Sequence, residues 1–196
     1  MRFYKEKHMS KIISWVGALV VLLAVSSVPS YSFAKTENAV AQPVTTQPAE
    51  VKPEYPLPYP GVLPDHPLYS LKALRDKILD MLIVDPIRKS EFYILQGDKR
   101  LQMGVMLVDK GRTTLGEQVV SKGEKYMYQA VYGLMTLKQG RKEIPGYLLD
   151  RLEQSLAKHA EVLGTLVTRA TEPDKSGLAG SLELVGKLTG ELPKLK

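Results

Sequence analysis

The chain contains no cysteine. That excludes a disulfide framework, a thiolate metal site and a lipid-modified N-terminal cysteine. Histidine is scarce, with three in all: His8, His66 and His159. No twin-arginine pair, phosphate loop, nucleophile elbow or metal-ligand helix motif occurs. Dense Lys/Arg stripes with interleaved aromatics are missing too, so nucleic acid is not an expected partner. The longest apolar run, residues 12–25, is interrupted only by Ser14 and falls short of the ~20 residues a bilayer span needs.

What the N-terminus does have is the pattern of an export signal. Arg2, Lys5, Lys7 and Lys11 precede the apolar run, and Ser32-Phe33-Ala34 supplies small residues for a peptidase, so cleavage between Ala34 and Lys35 is expected. The competing expectation is an uncleaved N-terminal anchor, and only in that case is a membrane a partner. Losing residues 1–34 lowers the net charge from +6 to +3, an ordinary exported surface. Residues 35–56 then read as a linker. Eight of the thirteen prolines fall between Pro43 and Pro67, which favours extended polyproline II. At ~3 Å per residue such a strap reaches roughly 65 Å.

From Pro67 onward the apolar spacing is helical, without strand-type alternation. A first helix is predicted over 67–82, capped by Asp65 or His66, with Leu68, Leu71, Leu74, Ile78 and Leu82 on one stripe. Asp85-Pro86 starts a second helix that stops at Gly111. Its Ile87, Ile94, Leu101 and Val108 recur every seven residues, and Gly97 and Gly104 on the same side imply close backbone approach. A third helix is predicted over 114–139 and a fourth over 145–170, where Leu149, Leu152, Leu156, His159, Leu163, Leu166 and Ala170 form an unbroken seam. Residues 171–196 read as a fifth amphipathic helix or a tail. The predicted fold is therefore all-α, a bundle of four main helices over 57–170 with a possible fifth.

The segment Tyr59-Pro-Gly-Val-Leu-Pro-Asp-His-Pro-Leu-Tyr69, followed by Leu71-Lys72, resembles the opening of a domain family of unknown function, DUF five-six-six-seven. Asp85-Pro86, Lys89, Glu91 and Lys99-Arg100-Leu101 resemble its second helix, and Lys158-His159-Ala160-Glu161-Val162-Leu163 its last. The resemblance covers residues 59–170. It departs at Gly97, Met103 and Gly104, where the family pattern tends to alanine and glutamate. It implies an exported prokaryotic helical domain and brings no activity, cofactor or site residues.

Candidate chemistry is sparse. Pro64, Asp65, His66, Pro67 and Tyr69 have a structural account as cap and anchor, with Leu68 and Tyr69 holding the strap on the bundle. Tyr55, Tyr59 and Tyr69 between prolines offer a recognition face as the alternative. His159 reads as a buried or boundary histidine with one satisfied hydrogen bond. Arg100 is expected to lay its stem along the core and pair with Asp76 or Asp80. Asp109, Glu117 and Glu124 read as single carboxylates on exposed faces, which make no acid–base pair. No catalytic residue, metal ligand or cofactor is assigned. Three expectations follow: a non-enzymatic exported module that binds or scaffolds at the cell envelope, its partner a protein or an envelope component; a small-ligand binder or enzyme with a site between helices; and a chaperone-like protein with a large exposed apolar patch. A pocket holding His159 and a facing carboxylate would favour the second, and a filled interior the first.

Overall fold

Prolines and glycines punctuate the chain, and the helices fall between them. The computed structural model describes residues 55–196, which contain five α-helices and no strand. Helix α1 spans Tyr69–Leu82, α2 Pro86–Asp109, α3 Thr113–Gln139, α4 Gly146–Arg169 and α5 Asp174–Glu191, and a 3-10 turn follows at Leu192–Lys194. The expected signal segment, its Ala34–Lys35 cleavage point and nearly all of the linker lie outside the described residues.

Local chemistry sets the helix ends. Asp85 caps α2, its carboxylate accepting from Arg88 N at 2.8 Å, with Pro86 in the first turn. Gly111, at φ 72°, closes the other end, and Arg112 N reaches back to the Leu107 carbonyl at 2.8 Å. The same closure ends α3, where Lys142 N meets the Leu137 carbonyl at 3.0 Å. There the left-handed residue is Arg141, at φ 56°, and not the preceding Gly140. At the start of α1, His66 Nδ1 accepts from Leu68 N at 3.1 Å, while Asp65 turns away to Lys110.

Four helices close a ring: α2 packs on α3 and α4, and α5 packs on α3 and α4. The core they enclose is aliphatic, centred on Ile94, Leu101, Met127, Leu134, Leu152, Leu156, Leu163, Leu178 and Val185. The bundle is thus α2–α5. The helix expected as optional is part of it, with Leu178, Val185 and Leu188 buried, while the helix expected as its first member lies outside. Glycine explains why α5 was ambiguous. Gly180, Gly186 and Gly190 weaken its helical signal but lie over open space, leaving the apolar stripe intact.

Helices α2 and α3 approach each other closely. A Cβ on Gly97 would sit 2.6 Å from Met127 Sδ and 3.4 Å from the Gly123 carbonyl, and one on Gly123 would sit 2.9 Å from Arg100 Cβ and 3.3 Å from the Gly97 carbonyl. One turn pair further along, Gly104 and Gly116 face each other in the same way, at 3.3 and 3.1 Å from each other's carbonyls. Four glycines thus let two antiparallel backbones approach with no intervening side chain.

Ahead of α1 the strap lies on the bundle. Leu57 packs against the main core, Pro60 is buried, and Leu63 joins Met103, Leu107 and Val119 in a second small cluster flanked by Tyr69. Leu63 and Tyr69 are therefore the anchors. Leu68, expected to share that task, is exposed.

Gly104→Ala should lower stability by about 1–3 kcal/mol, because the new methyl collides with Val120 and the Gly116 backbone and that outweighs the helix-propensity gain. Gly186→Ala, over open space, should instead raise it by about 0.5–1 kcal/mol. Urea denaturation of the two variants compares the signs directly.

Candidate functional site

Three helices bring charge to the centre of the core. Asp98 stands in the α2 stripe between Ile94 and Leu101, Glu124 in the α3 stripe between Val120 and Met127, and Ser155 and His159 in the α4 stripe among Leu152, Leu156 and Leu163. All four polar residues have no solvent exposure. His159 spans the two acids, with Nδ1 2.8 Å from Glu124 Oε1 and Nε2 3.2 Å from Asp98 Oδ1. Ser155 Oγ donates to Asp98 Oδ1 at 2.5 Å, and Tyr55, arriving from the strap, donates to Asp98 Oδ2 at 2.7 Å.

An imidazole facing a carboxylate on each edge is best matched when both nitrogens carry protons. Burial by itself lowers the His159 pKa, but the Glu124 charge and the hydrogen bonds to Asp98 and Glu124 outweigh it and push the value up to about 9. Burial, then the Asp98 charge and hydrogen bond, push the Tyr55 hydroxyl up to about 12, so it remains a donor at ordinary pH. Asp98 accepts three hydrogen bonds, whereas Glu124 Oε2 is buried with no partner.

The order of the groups limits their chemistry. Nucleophilic activation needs the histidine between the serine and the acid. Here Asp98 stands between Ser155 and His159, so the serine proton already points at a carboxylate. The two ring nitrogens of His159 address opposite acids, so the three groups do not converge on one point where a metal could sit. A groove of about 310 Å³ runs between Tyr55, Pro56 and Leu57 of the strap, Gln102 and Val105 of α2, and Lys158, Val162 and Arg169 of α4. Tyr55 separates it from Asp98, and neither His159 nor its acids line it.

These positions correct two expectations. His159 has both nitrogens engaged, not one, and Glu124 is fully buried against it rather than on an exposed face. Asp98 and Ser155 were not singled out at all. The signal that finds them is phase: each charged or polar residue occupies a core position of an otherwise aliphatic stripe. Arg100 pairs with neither Asp76 nor Asp80. Its guanidinium bonds Gln96 Oε1 at 2.6 Å and lies 4.3 Å from the Tyr126 ring centre.

The strap residues do not converge into one recognition face. Tyr55 is inserted towards Asp98, Tyr69 is half-buried in the small cluster, and Tyr59 is 79% exposed. Pro64 is half-buried, Pro67 is exposed, and Asp65 Oδ2 is 3.4 Å from Lys110 Nζ.

A second feature lies on the surface. Helix α1 is inside out. Its polar side faces the bundle: Asp76 is buried, Lys72 Nζ donates to the Pro60 carbonyl at 2.6 Å and to that of Val62 at 3.3 Å, and Asp80 pairs with Lys89 at 3.1 Å. Its apolar side faces out. Leu71 is 65% exposed, Met81 74% and Val84 89%, with Leu68, Leu74, Ile78, Leu79 and Leu82 beside them. The predicted stripe exists, but it does not face the core. Beyond Val84 a shallow groove of about 550 Å³, floored by Ile83, Val84, Phe92 and Leu95, continues the apolar surface. No helix of the described residues is long and apolar enough to cross a membrane.

Comparison with protein-family models, curated proteins and solved structures finds no match to this chain.

Replacing His159 with Gln should cost about 3–5 kcal/mol near pH 7, since two buried carboxylates lose their cation. The histidine's pKa is raised in the fold, so its contribution is whole below pH 6.5 and fades as pH climbs through about 9. Lys72, held down to about 8 by burial despite the Asp76 charge, drifts the opposite way. The wild-type minus His159→Gln difference in urea stability therefore isolates the histidine, and it should shrink between pH 7 and 10. A difference that stays constant would mean a neutral imidazole.

Tyr55→Phe removes one donor from buried Asp98 and should cost about 1–3 kcal/mol without altering helix content, read by thermal melting and circular dichroism.

Proposed function

We propose that this protein is a non-enzymatic, exported helical module that binds or scaffolds at the cell envelope, and that the outward face of α1 is its binding surface. One observation carries the reading: α1 turns its polar side to the bundle and leaves eight large apolar side chains uncovered from Leu68 to Val84. Monomeric surfaces seldom keep a contiguous apolar patch beyond a few hundred Å², and larger ones mark interaction sites. The contacts of Lys72 with the Pro60 and Val62 carbonyls and of Asp80 with Lys89 hold the helix in this orientation.

The buried Asp98–His159–Glu124 group supports the reading by its closure. It is a fully shielded set of charges, and the adjacent groove stops at Tyr55. The resemblance of the Tyr59–Tyr69 segment to an exported domain family, and the basic-then-apolar N-terminus, support the envelope as the location. A chaperone-like role would use the same patch and differ in accepting many unfolded partners.

The double substitution Leu71→Glu and Ile78→Glu tests the surface. Both positions are exposed, so helix content should stay within experimental error. Retention on isolated envelope material should fall tenfold or more, while His159→Gln, though destabilised, keeps retention while folded. Unchanged retention in the double variant would remove α1 as the binding surface. Suppression of aggregation of several unrelated unfolded proteins, lost in the same variant, would favour the chaperone-like role.

A further inference from the structure

We infer that the occupant of the α1 face is a second copy of this chain, paired α1 to α1 about a twofold axis. The inference rests on α1 being the binding surface and adds the identity of its partner. The spacing of the exposed residues is the first argument. Leu71 and Ile78 are seven residues apart, as are Leu74 and Met81, with Leu82 one turn beyond Ile78. That repeat over about three turns is a seam by which one helix meets another. A single extended peptide has no need of it.

The second argument is area. Eight large apolar side chains, most of them about half uncovered or more, amount to several hundred Å², on the order of the ~800 Å² that each side contributes to a standard interface. A twofold pairing uses the same patch on both copies, so no second surface is required.

Charge separates this partner from an anionic lipid surface. Of the cations on α1, Lys72 is committed to two carbonyls of the strap and Arg75 lies 2.7 Å from Asp76. Among the described residues, only Lys77 on this helix has neither an ion pair nor a hydrogen bond for its charge. A helix that lies on anionic lipid normally lines its polar face with several cations facing outward. Here Lys72 and Asp76 look inward, and Arg75, though its side chain is 61% exposed, is paired with Asp76. What is left outside is apolar surface with little charge to oppose the approach of an identical face.

The absence of cysteine makes the test direct. Leu74 is at the middle of the seam, near the twofold for either relative helix direction, so Leu74→Cys in the full chain should form a disulfide-linked dimer under mild oxidation at least tenfold faster than Lys187→Cys on the outer side of α5. Sedimentation should show the unaltered chain as a dimer at micromolar concentration and the Leu71→Glu, Ile78→Glu variant as a monomer with the same helix content. Both cysteine variants keep residues 1–34, so association through that segment would cross-link both equally, and equal rates overturn the inference. A monomeric unaltered chain whose double variant still loses envelope retention overturns the self-pairing and leaves the binding surface with another partner. Pelleting of that monomer with vesicles containing anionic lipid, abolished in the double variant, would identify the bilayer as that partner. If the double variant changes neither association nor retention, the self-pairing and the binding surface both fall.

Discussion

A protonated imidazole at the centre of an aliphatic core is the constraint on which the arrangement depends. His159 binds α4 to α2 through Asp98 and to α3 through Glu124, and Asp98 in turn holds the strap through Tyr55. Hydrophobic burial alone has no direction and tolerates sliding and rotation of one helix on another. A charged donor with an acceptor on each edge does not. Rotating α4 by one position would leave two carboxylates in hydrocarbon without a counter-charge, which costs several kcal/mol. The glycine crossing of α2 and α3 fixes a distance, and the imidazolium fixes a register.

The two features share a geometry. Gly97 is next to Asp98 and Gly123 next to Glu124, so the backbone contact that brings α2 and α3 together also brings their two acids to α4. Glycine at Gly97 and Gly104 therefore has a physical reason in this chain. A methyl at either position pushes α2 from α3 and widens the gap that His159 bridges.

Much of this architecture was legible before any coordinates. The four strong helices fall within two residues of their predicted bounds, because Asp85-Pro86, Gly111 and Pro145 are chemical stops and starts. The buried faces of α2 and α4 follow from Ile94, Leu101 and Leu152 through Leu166. What periodicity cannot say is which side of an amphipathic helix faces in. For α1 the apolar stripe is expected on a bundle helix, yet Lys72 and Asp80 have specific partners across from it and the leucines have none. The site was half legible. His159 interrupts a seam visibly, but its acids sit on other helices, and their pairing appears only when α2 and α3 are set beside α4. The glycines of α5 left open whether that helix docks, and its leucines complete the core.

Tyr55 gives the strap a further consequence. The chain reaches the bundle not at the first residue of α1 but fourteen residues earlier, with a hydroxyl at the buried Asp98. A pull on the chain ahead of Tyr55 is therefore delivered to the centre of the core and not to α1, which is bypassed. Tension applied at Tyr55 would be felt first by the hydrogen bond that helps keep the His159 cluster sealed, before it reaches α1.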